Sequence, residues 1–116
     1  MTNKEGEPAS PSLTDIFNAQ MEFQKSITGL QTPVDDVTWF NYHMTAMTEE
    51  LGEVLRADKR WKTHRNAKFD PENKLEEIAD VFITAINIAL YSNYNAKDIA
   101  NRIMTKIQEN TEKRRA

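Results

Sequence analysis

DPENKLEEIADVFITAINIALY, residues 70–91, decides how the rest of the chain is read. It opens on Asp70-Pro71, a capping carboxylate followed by proline at the first helical position, where the missing N–H costs nothing. At about 100° per residue, Ile78, Val81, Phe82, Ile83, Ala85, Ile86, Ala89 and Leu90 cover most of the helix circumference. That is the pattern of a buried central helix. The gap in the coverage is a narrow stripe, Glu77, Asp80, Thr84 and Asn87, spaced three, four and three. Two carboxylates therefore ride on a helix that the sequence would bury. Unpaired buried carboxylates are costly or become neutral, so something must compensate them.

Downstream, SNYN closes this helix without a glycine, and Asn93 is the residue there best suited to a left-handed backbone. Asn95 with Asp98 starts a further helix, whose stripe is Ile99, Ile103, Met104 and Ile107. Upstream, Asp35 or Asp36 can cap a long helix running to about Trp61, with the seam Val37, Phe40, Met44, Met47, Leu51, Val54 and Leu55. Spacings of three and four in alternation are those of bundle packing. Ser12 with Asp15 resembles a capping signal for a first helix over 13–29, carrying Leu13, Ile16, Phe17, Phe23 and Ile27, with Gly29 as its stop and Leu30 beyond. Residues 1–12 lack periodicity and read as a disordered arm before a single domain over 13–116. No strand pattern or internal repeat is present. The expected fold is all-α, a four-helix bundle.

The chain has 116 residues, 28% charged and 39% hydrophobic, ordinary values for a globular domain. A net charge of −3 argues against a nucleic-acid binder, which would show a basic face. There is no cysteine, hence no disulfide and no thiolate chemistry, which suits a reducing compartment. The polar amino terminus does not resemble a signal peptide. The longest apolar run, Ile78 to Leu90, is interrupted by Asp80 and Asn87 and is too short to span a bilayer. A cytoplasmic protein with no membrane partner is expected.

The compensating chemistry is suggested by TEELGEV, residues 48–54. Glu50 and Glu53, three apart, project from one side of their helix beside the seam, and Glu49 lies next to Glu53 around the circumference. Glu77 and Asp80 repeat the spacing. If the two helices are antiparallel, four carboxylates gather. At an effective dielectric near 20, like charges about 4 Å apart oppose each other by roughly 4 kcal/mol. Divalent cations resolve this, and all-oxygen sites suit magnesium or manganese. The plainer reading is salt bridging, with Arg60 and Lys74 as partners. A lone E-x-x-E is weak evidence, since Glu109 and Glu112 make one away from any apolar stripe. A di-iron site would need Glu-x-x-His, and neither His43 nor His64 has a glutamate three residues before it.

EELGEV followed, after 23 intervening residues beyond Glu53, by EIAD resembles the signature of the MazG-like all-α nucleoside triphosphate pyrophosphohydrolases, whose relatives include the dimeric dUTPases and dCTP pyrophosphatases. The resemblance covers roughly residues 13–114. It implies that Glu50, Glu53, Glu77 and Asp80 bind two or more Mg²⁺ ions (Mn²⁺ as an alternative) that hold a triphosphate. It further implies that Glu49 helps position or deprotonate the attacking water. Lys106, Asn110 and Lys113 resemble a phosphate-contacting pattern of the dCTP-hydrolysing relatives; for Lys113 a solvated side chain is the better reading. Trp39, Asn41 and Trp61 stand where such enzymes hold the base. Arg60, seven residues after Glu53, is a candidate for the departing phosphates. Thr84 and Asn87, which continue the acidic stripe, are candidates for sugar or base, with a buried polar pair bonded to backbone as the equal alternative.

The implied activity is (d)NTP + H₂O to (d)NMP + pyrophosphate, on a deoxynucleoside triphosphate, in nucleotide-pool control. Close alternatives are a dUTPase-type or a phosphoribosyl-ATP-hydrolysing enzyme. The alternative of another class is a non-catalytic helical oligomerisation module. A homo-oligomer is expected, a tetramer ahead of a dimer, because a helix apolar all round needs partners that one short chain does not supply.

Overall fold

The computed structural model describes residues 9–29, 36–59 and 69–115. Four helices account for all regular structure among them: α1 (Leu13–Thr28), α2 (Val37–Asp58), α3 (Pro71–Leu90) and α4 (Ala96–Arg115). The all-α, four-helix expectation holds. Residues 1–8 of the expected arm, with Leu30, Asp35, Arg60, Trp61 and His64, lie outside the described residues.

Each helix starts where side-chain chemistry satisfies its free N–H groups. Ser12 and Asp15 form a reciprocal capping box, with Asp15 N–H donating to Ser12 Oγ and Ser12 N–H to the Asp15 carboxylate. Asp36 accepts from Trp39 N–H at 2.9 Å. Asp70 accepts from Glu72 and Asn73 ahead of Pro71, as DP predicts. Asn95 and Asp98 exchange bonds as the first box does. At the other ends, Gly29 and Asn93 take the left-handed backbone expected of them. The end of α2 differs from expectation. It stops at Asp58 rather than near Trp61, because Lys59 adopts φ 64° and returns its N–H to Leu55 O. Neither glycine nor asparagine marks that turn in the sequence.

The chain divides into two compact units, one containing α1 and α4, the other α2 and α3. In the first, α1 packs on α4. Phe17, Gln24 and Ala96 are buried there, while Phe23, Ile27, Ile103, Met104 and Ile107 of the predicted stripes are exposed.

In the second unit α2 and α3 run antiparallel, tied by rungs along their length. Asp36 N–H donates to Tyr91 O, His43 meets Asn87, Glu50 meets Glu77 and Asp80, and Lys74 pairs with Asp58 at 2.6 Å. The α2 line facing this seam runs through His43, Met47, Glu50, Val54 and Ala57, all buried or half-buried. Of the seam expected from sequence, Val37, Met44, Leu51 and Leu55 are instead exposed. The side of α3 that meets α2 is the polar stripe, with Thr84 and Asn87 buried. The expectation that α3 is buried on every side is met only from Ile86 to its end, where Ile86, Asn87, Ala89 and Leu90 are buried. Phe82 is 67% exposed, and Leu75 and Ile83 are exposed as well. Within this unit, α2 covers only one side of α3.

Candidate functional site

The register of α2 against α3 brings Glu50, Glu77 and Asp80 together. One carboxylate oxygen from each lies within 4.8 Å of the other two. Glu77 and Asp80 share a face of α3 because they are three apart, and Glu50 is held opposite them by the seam. Glu50 and Glu77 are half-buried and Asp80 is exposed, so the group opens to solvent on one side. Desolvation, followed by the negative fields of Asp80, Glu77, Glu49 and Glu53, pushes the Glu50 carboxyl above the usual glutamate range. No lysine or arginine bond to Glu50, Glu77 or Asp80 is present among the described residues. Lys74, a candidate counter-ion from sequence, bonds Asp58 instead. The plain salt-bridge reading thus loses one of its two cations, and the other, Arg60, lies outside the described residues.

Glu53 is turned differently. Its carboxylate accepts from Arg56 at 2.5 Å on the same helix. Glu53, Arg56 and Lys59 of α2 nevertheless line a common groove with Asn73 and Glu77 of α3, so Glu53 remains beside the triad. Three acids converge where four were expected, with the fourth on the rim.

Glu49 and Asn41 line one shallow groove of about 350 Å³ along the flank of α2, with Thr38, Tyr42, Thr45 and Ala46. Trp39 is half-buried, its ring nearly parallel to those of His43 and Tyr91, with centroids 6.2 and 5.9 Å away. Thr84 donates its hydroxyl to Asp80 O at 2.9 Å, the backbone-bonded alternative of the sequence reading. Asn87 is buried with its amide 3.5 Å from His43 Nδ1. Lys106, Asn110 and Lys113 are exposed on α4, in the other unit.

Sequence reasoning passed over His43, considering it only as an iron ligand. The ring is 6% exposed, and burial lowers its pKa, which keeps it neutral at pH 7. The available signal was spacing: His43 lies seven residues before Glu50 and Asn87 seven after Asp80, so the two pairs occupy equivalent places on the two helices.

Oxygen-only donors from facing helices, with one carboxyl already disfavoured as an anion, are chemically suited to a hard divalent cation. No described helix is long and apolar enough to cross a membrane. Compared with protein-family models, residues 12–115 match the family described as dUTPase. No curated protein and no solved structure matches the chain.

Proposed function

The chain belongs to this dUTPase family of nucleotide-hydrolysing enzymes, and on that premise we propose that it is a divalent-metal-dependent nucleoside triphosphate pyrophosphohydrolase acting on a deoxynucleoside triphosphate. The observation that carries the reading is the convergence of Glu50, Glu77 and Asp80 from two helices within the matched segment. These three carboxylates would hold Mg²⁺ or Mn²⁺. Glu53 joins them as a fourth ligand, since its exposed pair with Arg56 is worth only about 0.2–1 kcal/mol and yields to a divalent ion. When bound, the metal supplies charge neutralisation at the phosphates and lowers the pKa of water.

The remaining chemistry belongs to the chain. With no G-x-x-x-x-G-K-[ST] loop directing chemistry to the γ-phosphoryl and no cysteine nucleophile, water attacks the α-phosphorus directly. The new bond is from water oxygen to α-phosphorus, and the bond broken joins α-phosphorus to the oxygen that leaves with pyrophosphate. Glu49, exposed beside the triad, takes the proton. Asn41, which shares its groove, reads the nucleoside. The exposed apolar residues of α2 and α3 are covered by further copies of the chain, a tetramer ahead of a dimer.

The test is pyrophosphate release from dUTP, dCTP and the other canonical triphosphates with Mg²⁺, for the wild type and for Glu50→Gln. Metal-dependent release by the wild type, lost in a folded Glu50→Gln protein, is expected. Equal release by both would refute the assignment.

A further inference from the structure

We infer that His43 and Asn87 form a register pin, a pair of positioning residues that sets Glu50 opposite Glu77 and Asp80; the inference rests on the metal-site reading for its consequence but not for its geometry. The two helices meet His43 to Asn87 at one level and Glu50 to Asp80 at the next, seven residues away on each helix. Two turns of helix therefore separate pin from site on both sides of the seam, and fixing one level fixes the other.

Asp36 N–H to Tyr91 O and Lys74 to Asp58 hold the two ends of the seam, but the packing between them would not fix the register so sharply. Met47, Val54 and Ala57 face α3 from α2, and small or flexible apolar groups repack readily when neighbours shift. A slip of one turn moves one helix about 5.4 Å along the other, more than the spacing that unites the three carboxylates. Such a slip leaves the apolar middle of the seam apolar and breaks the contacts at its ends, and it strands a buried imidazole and a buried amide without each other. A single buried polar position setting the alignment of two helices is a recognised use of such groups.

Three further observations support this role over simple stabilisation. The Asn87 to His43 approach, at 3.5 Å, is at the long limit of hydrogen bonding. With the amide donating to Nδ1, the imidazole proton sits on Nε2, and Nε2 has no partner among the described residues. A buried imidazole this incompletely satisfied is a poor source of stability. Its orientation is nonetheless tightly held. Trp39, His43 and Tyr91 form three near-parallel rings, with His43 and Tyr91 centroids 5.3 Å apart at 13°, and Tyr42 stands edge-on to His43 at 5.0 Å. Tyr91 is fully buried, and its carbonyl accepts the Asp36 N–H at the cap of α2. The ring stack thus anchors the pin to the adjoining ends of both helices.

The chain has no cysteine, so the register can be read by paired spin labels at Thr48→Cys and Ala85→Cys, both exposed positions on α2 and α3. In this background His43 and Asn87 are both replaced by leucine, or His43 alone by glutamine, which keeps an amide for Asn87. Distances, melting temperature in chelator and Mn²⁺ affinity are measured for each. The double-leucine protein is expected to melt at or above the parent temperature, to show a broadened or second distance population, and to bind Mn²⁺ about 10- to 100-fold more weakly. His43→Gln should restore the single distance. A single parental distance in the double-leucine protein overturns the proposal whatever the metal does, and so does failure of that protein to fold. If the parent binds no Mn²⁺, the metal reading fails, while the distances still decide the pin.

Discussion

Glu50 is the residue at which burial and charge meet. Its carboxyl sits above the ordinary value of 4.5, chiefly through desolvation and then through Asp80 and Glu77. The sign of the consequence follows from proton linkage. Between the unfolded value and the raised folded value, the folded chain holds a proton that the unfolded chain has released. Stability of the metal-free protein therefore falls as pH rises through that window and stays reduced above it. Glu50→Gln removes this loss. In chelator, the variant should melt above the wild type at pH 7 and converge with it near pH 4, as followed by circular dichroism; comparing the two at each pH cancels the titration of His43. An equal gap at both pH values would contradict the account. Glu53→Gln separates the rim from the triad. Hydrolysis should be lost at saturating Mg²⁺ while metal-free stability changes by less than about 1 kcal/mol, because only the exposed Arg56 pair is broken. Full activity in that variant would remove Glu53 from the ligand set. The convergence of Glu50, Glu77 and Asp80 was legible in the sequence, since three-residue spacing on two amphipathic helices leaves little freedom. The turning of Glu53 toward Arg56 was not. It depends on a local i, i+3 competition that spacing from the other helix does not reveal.

At the scale of elements, legibility followed the caps. Ser12, Asp70 and Asn95 marked helix starts because short polar side chains satisfy backbone donors there, whatever the tertiary surroundings. The end of α2 was missed by about a turn, since Lys59 carries no sign that it will take φ 64°. A side chain with a Cβ is disfavoured in that region by roughly 1–2 kcal/mol. Lys59→Gly should therefore raise stability, by up to about 1 kcal/mol once glycine's greater unfolded freedom is subtracted. Urea denaturation checks this, and a lower midpoint would show that the Lys59 side chain contributes more than its backbone costs. The face that α2 turns to α3 was read in part. Met47 and Val54 of the expected seam lie on it, and Glu50 faces the acids of α3 as expected. Val37, Met44, Leu51 and Leu55 do not, because apolar character alone selected them. That criterion also left out His43, which is buried on the same line.

On the scale of the whole molecule, apolar side chains remain exposed on α2 and α3, among them Val37, Leu51, Leu75 and Phe82. Large apolar side chains left exposed on packed helices are suited to cover by a further chain. Sedimentation at micromolar concentration should accordingly show a species heavier than the 13.4 kDa chain, and a purely monomeric profile would contradict the proposed assembly. The broad superfamily and a nucleotide-hydrolysing activity were legible from EELGEV and EIAD, whereas the matched family, dUTPase, was named only among the relatives. The base preference was not legible, because base recognition depends on how side chains are presented around the nucleotide rather than on their spacing. Central to the proposed function is direct attack of water on the α-phosphorus by a chain whose sequence holds neither a G-x-x-x-x-G-K-[ST] motif nor a cysteine. Hydrolysis of the preferred triphosphate in ¹⁸O-water tests this most directly. The account predicts the label in the nucleoside monophosphate, with unlabelled pyrophosphate as the other product. Label in the pyrophosphate, or orthophosphate as the first product, would contradict it.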